Sequence, residues 1–358
     1  MYRFSVKLLI IFMAVIGFLF FSKPSFPADV ELSAGLIPKP GSIKTANDQF
    51  KKNPPWKFAL SLPGVGNSWI VQMLEETKYE VSRHKEISEL IVVDAEWNPA
   101  KQVADLEDVL TKEPDVIMVA PVTPTSASAV IDKIAVRGII VIIAGLSAGT
   151  SAYTTNLLSG GEPFGRVGGD FLVKALKGKG NVWMFRGPAG FAEDESRYQG
   201  AVSSFKGTQI KISAEVYGDW SYAKGKQLCE SLLLSGKPVD GIWFSGAEMT
   251  KGCIEVFQEF KKPLVPMTGE GNNGFLRVWK ESGVKSIAPV FPSAIGKAQV
   301  EAGVALLEGK QIYKDYYSVA PPITEQNRDE YFRPNLNDNY WVPSALPKEK
   351  LKELYGKR

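Results

Sequence analysis

From residue 56 onward, short runs of β-branched and apolar residues alternate with longer amphipathic stretches, and this alternation constrains the fold more than any other feature. Residues 57–62, 90–94, 116–119 and 139–143 read as strands, with helices at 69–85, 100–112 and 127–137 between or after them. Near-continuous apolar strands separated by helices predict a parallel sheet covered on both faces. The alternation then restarts with a helix at 164–176. Strands follow at 181–185, 210–217, 240–244, 263–267 and 286–290, with helices near 197–205, 222–234, 249–260, 275–281 and 295–307. Some ten βα units exceed one compact doubly wound sheet, so the chain predicts α/β architecture in two such domains. Trp183, Trp243 and Trp279 fall within strands or a helix and read as core.

The front of the chain follows other rules. Arg3 and Lys7 precede an unbroken apolar run, Leu8 to Phe21, and a polar stretch through Pro27 and Ala28 follows. This is the pattern of a secretory signal peptide over residues 1–28, too short in its apolar part to span a bilayer comfortably. Residues 29–55, rich in Pro, Gly, Lys and Asn, read as an extended leader. Cleavage near Ala28 removes Arg3, Lys7 and Lys23 and no acid, taking the formal charge from +3 to zero. A neutral mature chain lacks the basic footprint that nucleic acid or an anionic membrane needs. Export permits a disulfide between Cys229 and Cys253, both in helical segments; two buried small residues on neighbouring helices is the alternative.

Ligands bind such sheets beyond the carboxyl ends of the strands. The loops there are Pro63-Gly64-Val65-Gly66-Asn67-Ser68-Trp69, Asp94-Ala95-Glu96-Trp97-Asn98, Gly218-Asp219-Trp220 and Ser245-Gly246-Ala247-Glu248. Thr268-Gly269-Glu270-Gly271-Asn272-Asn273 is a fifth. Indoles, carboxylates and amides recur in them, the mixture suited to a sugar's apolar faces and hydroxyl edge. Glu270 has the alternative of capping the following helix, and Arg197 that of a structural salt bridge with Glu193 or Asp194. Gly64 and Gly66 lack the spacing and lysine of a phosphate cradle. His84, the single histidine, lies in a polar stretch expected to face solvent. With one histidine, triads, histidine-rich metal sites and most acid–base schemes lose their usual participant. No catalytic residue, cofactor or metal is expected.

Gly66-Asn67-Ser68-Trp69, Asn98-Pro99-Ala100-Lys101-Gln102, Arg197-Tyr198-Gln199-Gly200, Tyr217-Gly218-Asp219-Trp220 and the run from Thr268 to Arg277 form an ordered set. Through them, residues 56 to about 325 resemble the type I periplasmic sugar-binding proteins of ABC importers, the ribose-binding-protein-like superfamily. The resemblance implies two lobes joined by three hinge strands, with crossovers near 157–162, 289–292 and 318–323. The lobes would be 56–157 with 290–318, and 158–289 with 319–358. It also implies a monomer that closes on ligand in the periplasm and is read by a membrane permease. Residue by residue it gives ligand roles to Asn67, Trp69, Arg197, Trp220 and Glu270; Trp97, Asp194, Glu248 and Asn272 join them from their loop positions. Departures are specific: Glu195 stands where ribose-type receptors place an arginine, Gly145-Leu146 where they place an Asp-Arg pair, and Gly246-Ala247 where they place Asn-Asp. Two other roles fit the fold: a sensor subunit feeding a histidine kinase or chemoreceptor, and a receptor caging a quaternary amine among the tryptophans, Glu248, Glu270 and Asp194. A repressor of this fold would carry a helix-turn-helix where this chain carries an export signal.

Overall fold

The computed structural model describes residues 29–145 and 148–357; the signal peptide expected over residues 1–28 lies outside them, as does Leu146. In chain order the first lobe contains β1 (Leu36–Pro38), β2 (Trp56–Leu62), α1 (Ser68–Ser82), β3 (Ile87–Asp94), α2 (Pro99–Thr111), β4 (Val116–Val119), α3 (Ser128–Val136), β5 (Ile140–Gly145) and β6 (Thr155–Leu158). The second contains α4 (Gly161–Ala175), β7 (Lys179–Arg186), α5 (Ala192–Phe205), β8 (Gln209–Tyr217), α6 (Tyr222–Leu234), β9 (Gly241–Phe244), α7 (Ala247–Glu259), β10 (Met267–Thr268), α8 (Asn273–Ser282) and β11 (Ser286–Ile287). The chain then returns through α9 (Ile295–Leu307) and β12 (Asp315–Ser318) to the first lobe, and ends in α10 (Arg328–Tyr331) and α11 (Lys348–Tyr355).

Two sheets result. One runs β1-β12-β6-β5-β4-β2-β3, parallel except for β1, and the other runs β11-β10-β9-β7-β8, all parallel. In the first, Leu60 pairs with Met118 and Met118 with Ile142, all fully buried. Strands with helices on both faces need apolar residues on both sides, which is why β4 and β5 read as unbroken Val-Ile-Met runs. The second sheet is cored by Trp183, Trp243 and Trp279, each wholly buried. Among the described residues no helix is long and apolar enough to cross a membrane.

The sequence reading and the structure part at several places, and the strand expected over 286–290 keeps only β11. The leader is not loose: Leu32 and Leu36 are buried in the first lobe's core, and β1 covers the edge strand β12. The strand expected over 263–267 shrinks to β10, because Pro263 and Pro266 cannot donate to a ladder. His84 is half-buried with Nε2 3.2 Å from Glu80 Oε1 rather than free in solvent. The open cysteine question resolves as a Cys229–Cys253 disulfide joining α6 to α7, with Cα atoms 5.4 Å apart.

Candidate functional site

The two lobes present the same loop to each other. After β3, Glu96 (φ 52°) and Trp97 (φ 62°) are both left-handed; after β8, Asp219 (φ 56°) and Trp220 (φ 54°) repeat the pattern. In each loop an amide closes a turn, Asn98 N–H to Ala95 O at 2.8 Å and Ser221 N–H to Gly218 O at 2.9 Å. The same residue then caps the next helix: Asn98 Oδ1 accepts from Ala100 and Lys101, and Ser221 Oγ from Lys224. Consecutive left-handed residues cost about 1–2 kcal/mol each without glycine. Glycine loops fix the indoles that result. A Cβ on Gly64 would stand 2.5 Å from the Trp97 ring, and one on Gly187 or Gly246 at 2.5 and 2.6 Å from the Trp220 ring. Both rings therefore lie flat on backbone, held by the loops that follow neighbouring strands.

Phe191 stands edge-on to both indoles, its centroid 5.3 Å from Trp97 and 5.4 Å from Trp220. Trp69 stacks on Phe291 at 4.4 Å and donates its N–H to Phe291 O. Phe291 also crowds Gly145, where a Cβ would come within 3.1 Å of the ring. An aromatic ring thus stands against Gly145, the first position at which the resemblance sets an Asp-Arg pair. Trp341 completes the wall from the C-terminal tail. Its N–H donates to Ser68 Oγ, and Ser68 donates to Glu248 Oε1, each at 2.7 Å, linking tail, α1 and α7. These residues bound a cavity between the lobes.

Its charged groups are Glu193, Arg197, Glu248 and Glu270. Arg197 Nε donates to Glu193 Oε1 at 2.6 Å, Nη1 donates to Ser245 O at 2.6 Å, and Nη1 lies 3.4 Å from Glu270 Oε2. Burial works against the Arg197 charge, but Glu270 and Glu193 hold its pKa above the ordinary value. Burial also raises the three acids, Glu270 to about 7, with Arg197 opposing and Glu193 and Glu248 adding repulsion. α5 is brought close enough to set this cluster by glycines. A Cβ on Gly165 of α4 would fall 1.7 Å from Arg197 O, and one on Gly200 2.1 Å from Glu162 O.

Seven sequence candidates meet at this cavity: Asn67, Trp69, Trp97, Arg197, Trp220, Glu248 and Glu270. Asn67 also caps α1, its Oδ1 accepting from Ile70 N–H at 3.0 Å. Asp194 and Asn272 stand outside the cavity lining. Asp194 is bound to Arg186 Nε and to Gly187 N–H, so Arg186, not Arg197, is its partner. Asn272 caps α8 through Phe275 N–H and donates to Asp338 O. Phe191, Glu193, Phe291 and Trp341 line the cavity without having stood out in sequence. Phe191 and Glu193, past β7, and Phe291, past β11, obeyed the strand-end rule that could have found them; Trp341 of the tail did not.

A family model described as a periplasmic binding protein domain matches residues 58–311. The ribose import binding protein of Bacillus subtilis (strain 168) is 23% identical over 283 residues, 79% of this chain and 91% of that protein. Among solved structures, a solute-binding protein of Bacillus halodurans C-125 with bound myo-inositol has TM-score 0.69 and 22% identity, covering 78% of this chain and 98% of its own. The arabinose-transporter component of Shewanella sp. ANA-3, bound to L-arabinofuranose, has TM-score 0.70 and 21% identity over 77% and 94%. The matched residues span both sheets and every strand-end loop of the cleft, so fold, site and sequence agree that this chain belongs to the periplasmic binding protein family.

Proposed function

We propose that this chain is the extracytoplasmic receptor of an ABC importer, closing two lobes on a small carbohydrate without transforming it. The lobes are residues 56–157 with 290–318, to which the β1 segment adds an edge strand, and 158–289 with 319–358, the boundary falling at the end of β6. The observation that carries this reading is the pair of left-handed tryptophan loops, one per lobe, facing each other across Phe191. Rings held flat on glycine backbone suit the C–H face of a sugar, and the acids beside them accept from its hydroxyls. The relatives' names, a ribose importer component and receptors holding inositol and arabinofuranose, point to the same class. Asn67, Trp69, Trp97, Arg197, Trp220, Glu248 and Glu270 form the ligand set, with Asp194 and Asn272 assigned to scaffolding. Cleavage near Ala28 would release the mature monomer to meet its permease.

A thermal-shift screen of monosaccharides and polyols tests the reading, since a ligand bound only by the folded state raises the melting temperature. At least one compound is expected to do so. Trp220→Ala should then weaken that compound by about 1–3 kcal/mol, the scale of one large buried side chain. A library without a stabiliser, or unchanged affinity in a folded Trp220→Ala protein, defeats the reading.

A further inference from the structure

The cleft's charges do not balance. Glu193 and Arg197 form a buried pair within one helix, Nε to Oε1 at 2.6 Å with both side chains 4% exposed. Glu270 shares the same arginine at 3.4 Å. Among the described residues Glu248 is bonded only to the neutral hydroxyl of Ser68. The nearby Lys251 is already engaged, with Nζ 2.8 Å from Asp338 and 3.9 Å from Glu255. Among the described residues no lysine and no second arginine lines the cavity, so three carboxyl groups face one guanidinium.

Much of the remaining wall is aromatic, with Trp69, Trp97, Phe191, Trp220, Phe291 and Trp341 among its residues. The N–H groups of Trp69, Trp220 and Trp341 point away to Phe291 O, to Ser245 and to Ser68, which leaves their π surfaces rather than their donors for a ligand. Such faces already hold one cation, Arg197, whose Cζ is 5.2 Å from the Phe291 centroid and 5.7 Å from that of Trp220. Burial disfavours the charged form of a carboxyl group that has no cationic partner, and a positive charge on the ligand supplies that partner.

We propose that the cleft selects a small hydroxylated solute bearing an ammonium group, which lies against the indole faces with Glu248 and Glu270 as its counter-charges. The inference rests on the receptor reading above and narrows its ligand. Hydroxyls use the acids as acceptors while the cation supplies the missing charge.

Two pairs of probes isolate the charge. Choline and 3,3-dimethylbutan-1-ol share a shape and differ by a positive nitrogen in place of carbon. Glucosamine and glucose differ by one ammonium for one hydroxyl. Binding of each to the purified mature chain, followed by calorimetry, is expected to favour the cation of at least one pair by about tenfold or more. Glu248→Gln, which keeps the shape and removes the charge, should erase most of that preference, read as the ratio of cation to neutral affinity within the same variant. Neutral members that bind as well as their cations overturn the inference and leave the receptor reading standing. Cations that fail to bind at millimolar concentration overturn it too, and the receptor reading then depends on the thermal-shift library alone. A preference that survives in both Glu248→Gln and Glu270→Gln assigns it to something other than these counter-charges and also overturns the inference.

Discussion

At the scale of single residues, Trp69, Trp97 and Trp220 stand in strand-end loops, where this architecture puts ligands. What the sequence could not display is their backbone. Nothing in Glu96-Trp97 or Asp219-Trp220 announces two left-handed residues in succession, since the strain is imposed by the turn and the helix cap around it. The two loops share little beyond an acid, a Trp and a capping residue, too little to register as a repeat. Asp194 and Asn272 stand outside the cavity lining: their residue types suit ligands and scaffolding equally, and here Asp194 pairs with Arg186 while Asn272 caps α8. Glu270 carries a consequence in pH. Its pKa of about 7 exceeds the usual 4.5, so the folded state holds a proton that the unfolded chain has released. That contribution to stability is complete below about pH 4.5 and is lost as pH rises through 7. Glu193 and Glu248, also raised by burial, push the same way, and Arg197 opposes them. The melting temperature of the ligand-free protein should therefore fall across this window, and Glu270→Gln should flatten the fall. An equal slope in both proteins would show that Glu270 does not titrate there.

At the scale of elements, the long periodic segments were readable to within a few residues; α6 and α9 coincide with the expected 222–234 and 295–307. The missed pieces, β1, β6 and β12, have only three or four residues each. Strands that short carry no period and exist because a neighbouring strand supplies the ladder. The α4–α5 contact was hidden differently, in glycines that look like ordinary helix breakers. Gly165 and Gly200 let two helices touch backbone to backbone, and the contact sets where Arg197 and Glu193 project. Gly165→Ala forces a methyl to within 1.7 Å of Arg197 O, so the helices must separate. Overpacking of this kind costs about 1–3 kcal/mol, seen as a lower urea midpoint at unchanged slope. Ligand affinity should fall as well, because the arginine moves with its helix. Stability lost with affinity intact would mean that α5 does not position the site.

At the scale of the whole molecule, the tail changes how the two lobes can move. Three strands cross between lobes in this fold, and the tail adds a tether beside them. On one side it is bonded to the second lobe, with Val342 N–H to Gly271 O at 2.7 Å and Asn273 N–H to Tyr340 O at 2.8 Å. On the other it grips α1 of the first lobe: Gln72 exchanges two hydrogen bonds with the Trp341 backbone, N–H to Oε1 at 2.8 Å and Nε2–H to O at 2.9 Å. Glu76 accepts from Ser344 and Ala345 of the tail, and from Ser293 near the hinge. The described state is closed, since Ser68 reaches Glu248 and Trp97 meets Phe191 across the cleft. Opening must break those contacts, and the tether limits how far it proceeds while Glu76 stays buried among its donors. Removing that carboxylate leaves several buried donors unmatched, each costing about 1–3 kcal/mol, which favours undocking of the tail. By small-angle scattering, Glu76→Ala should give a larger ligand-free radius of gyration than the unmodified chain. A stabilising ligand should return both proteins towards the same compact value, because the closed state makes the ligand contacts whether or not the tether holds. Equal radii without ligand would mean that the tail rides on one lobe and leaves the hinge free.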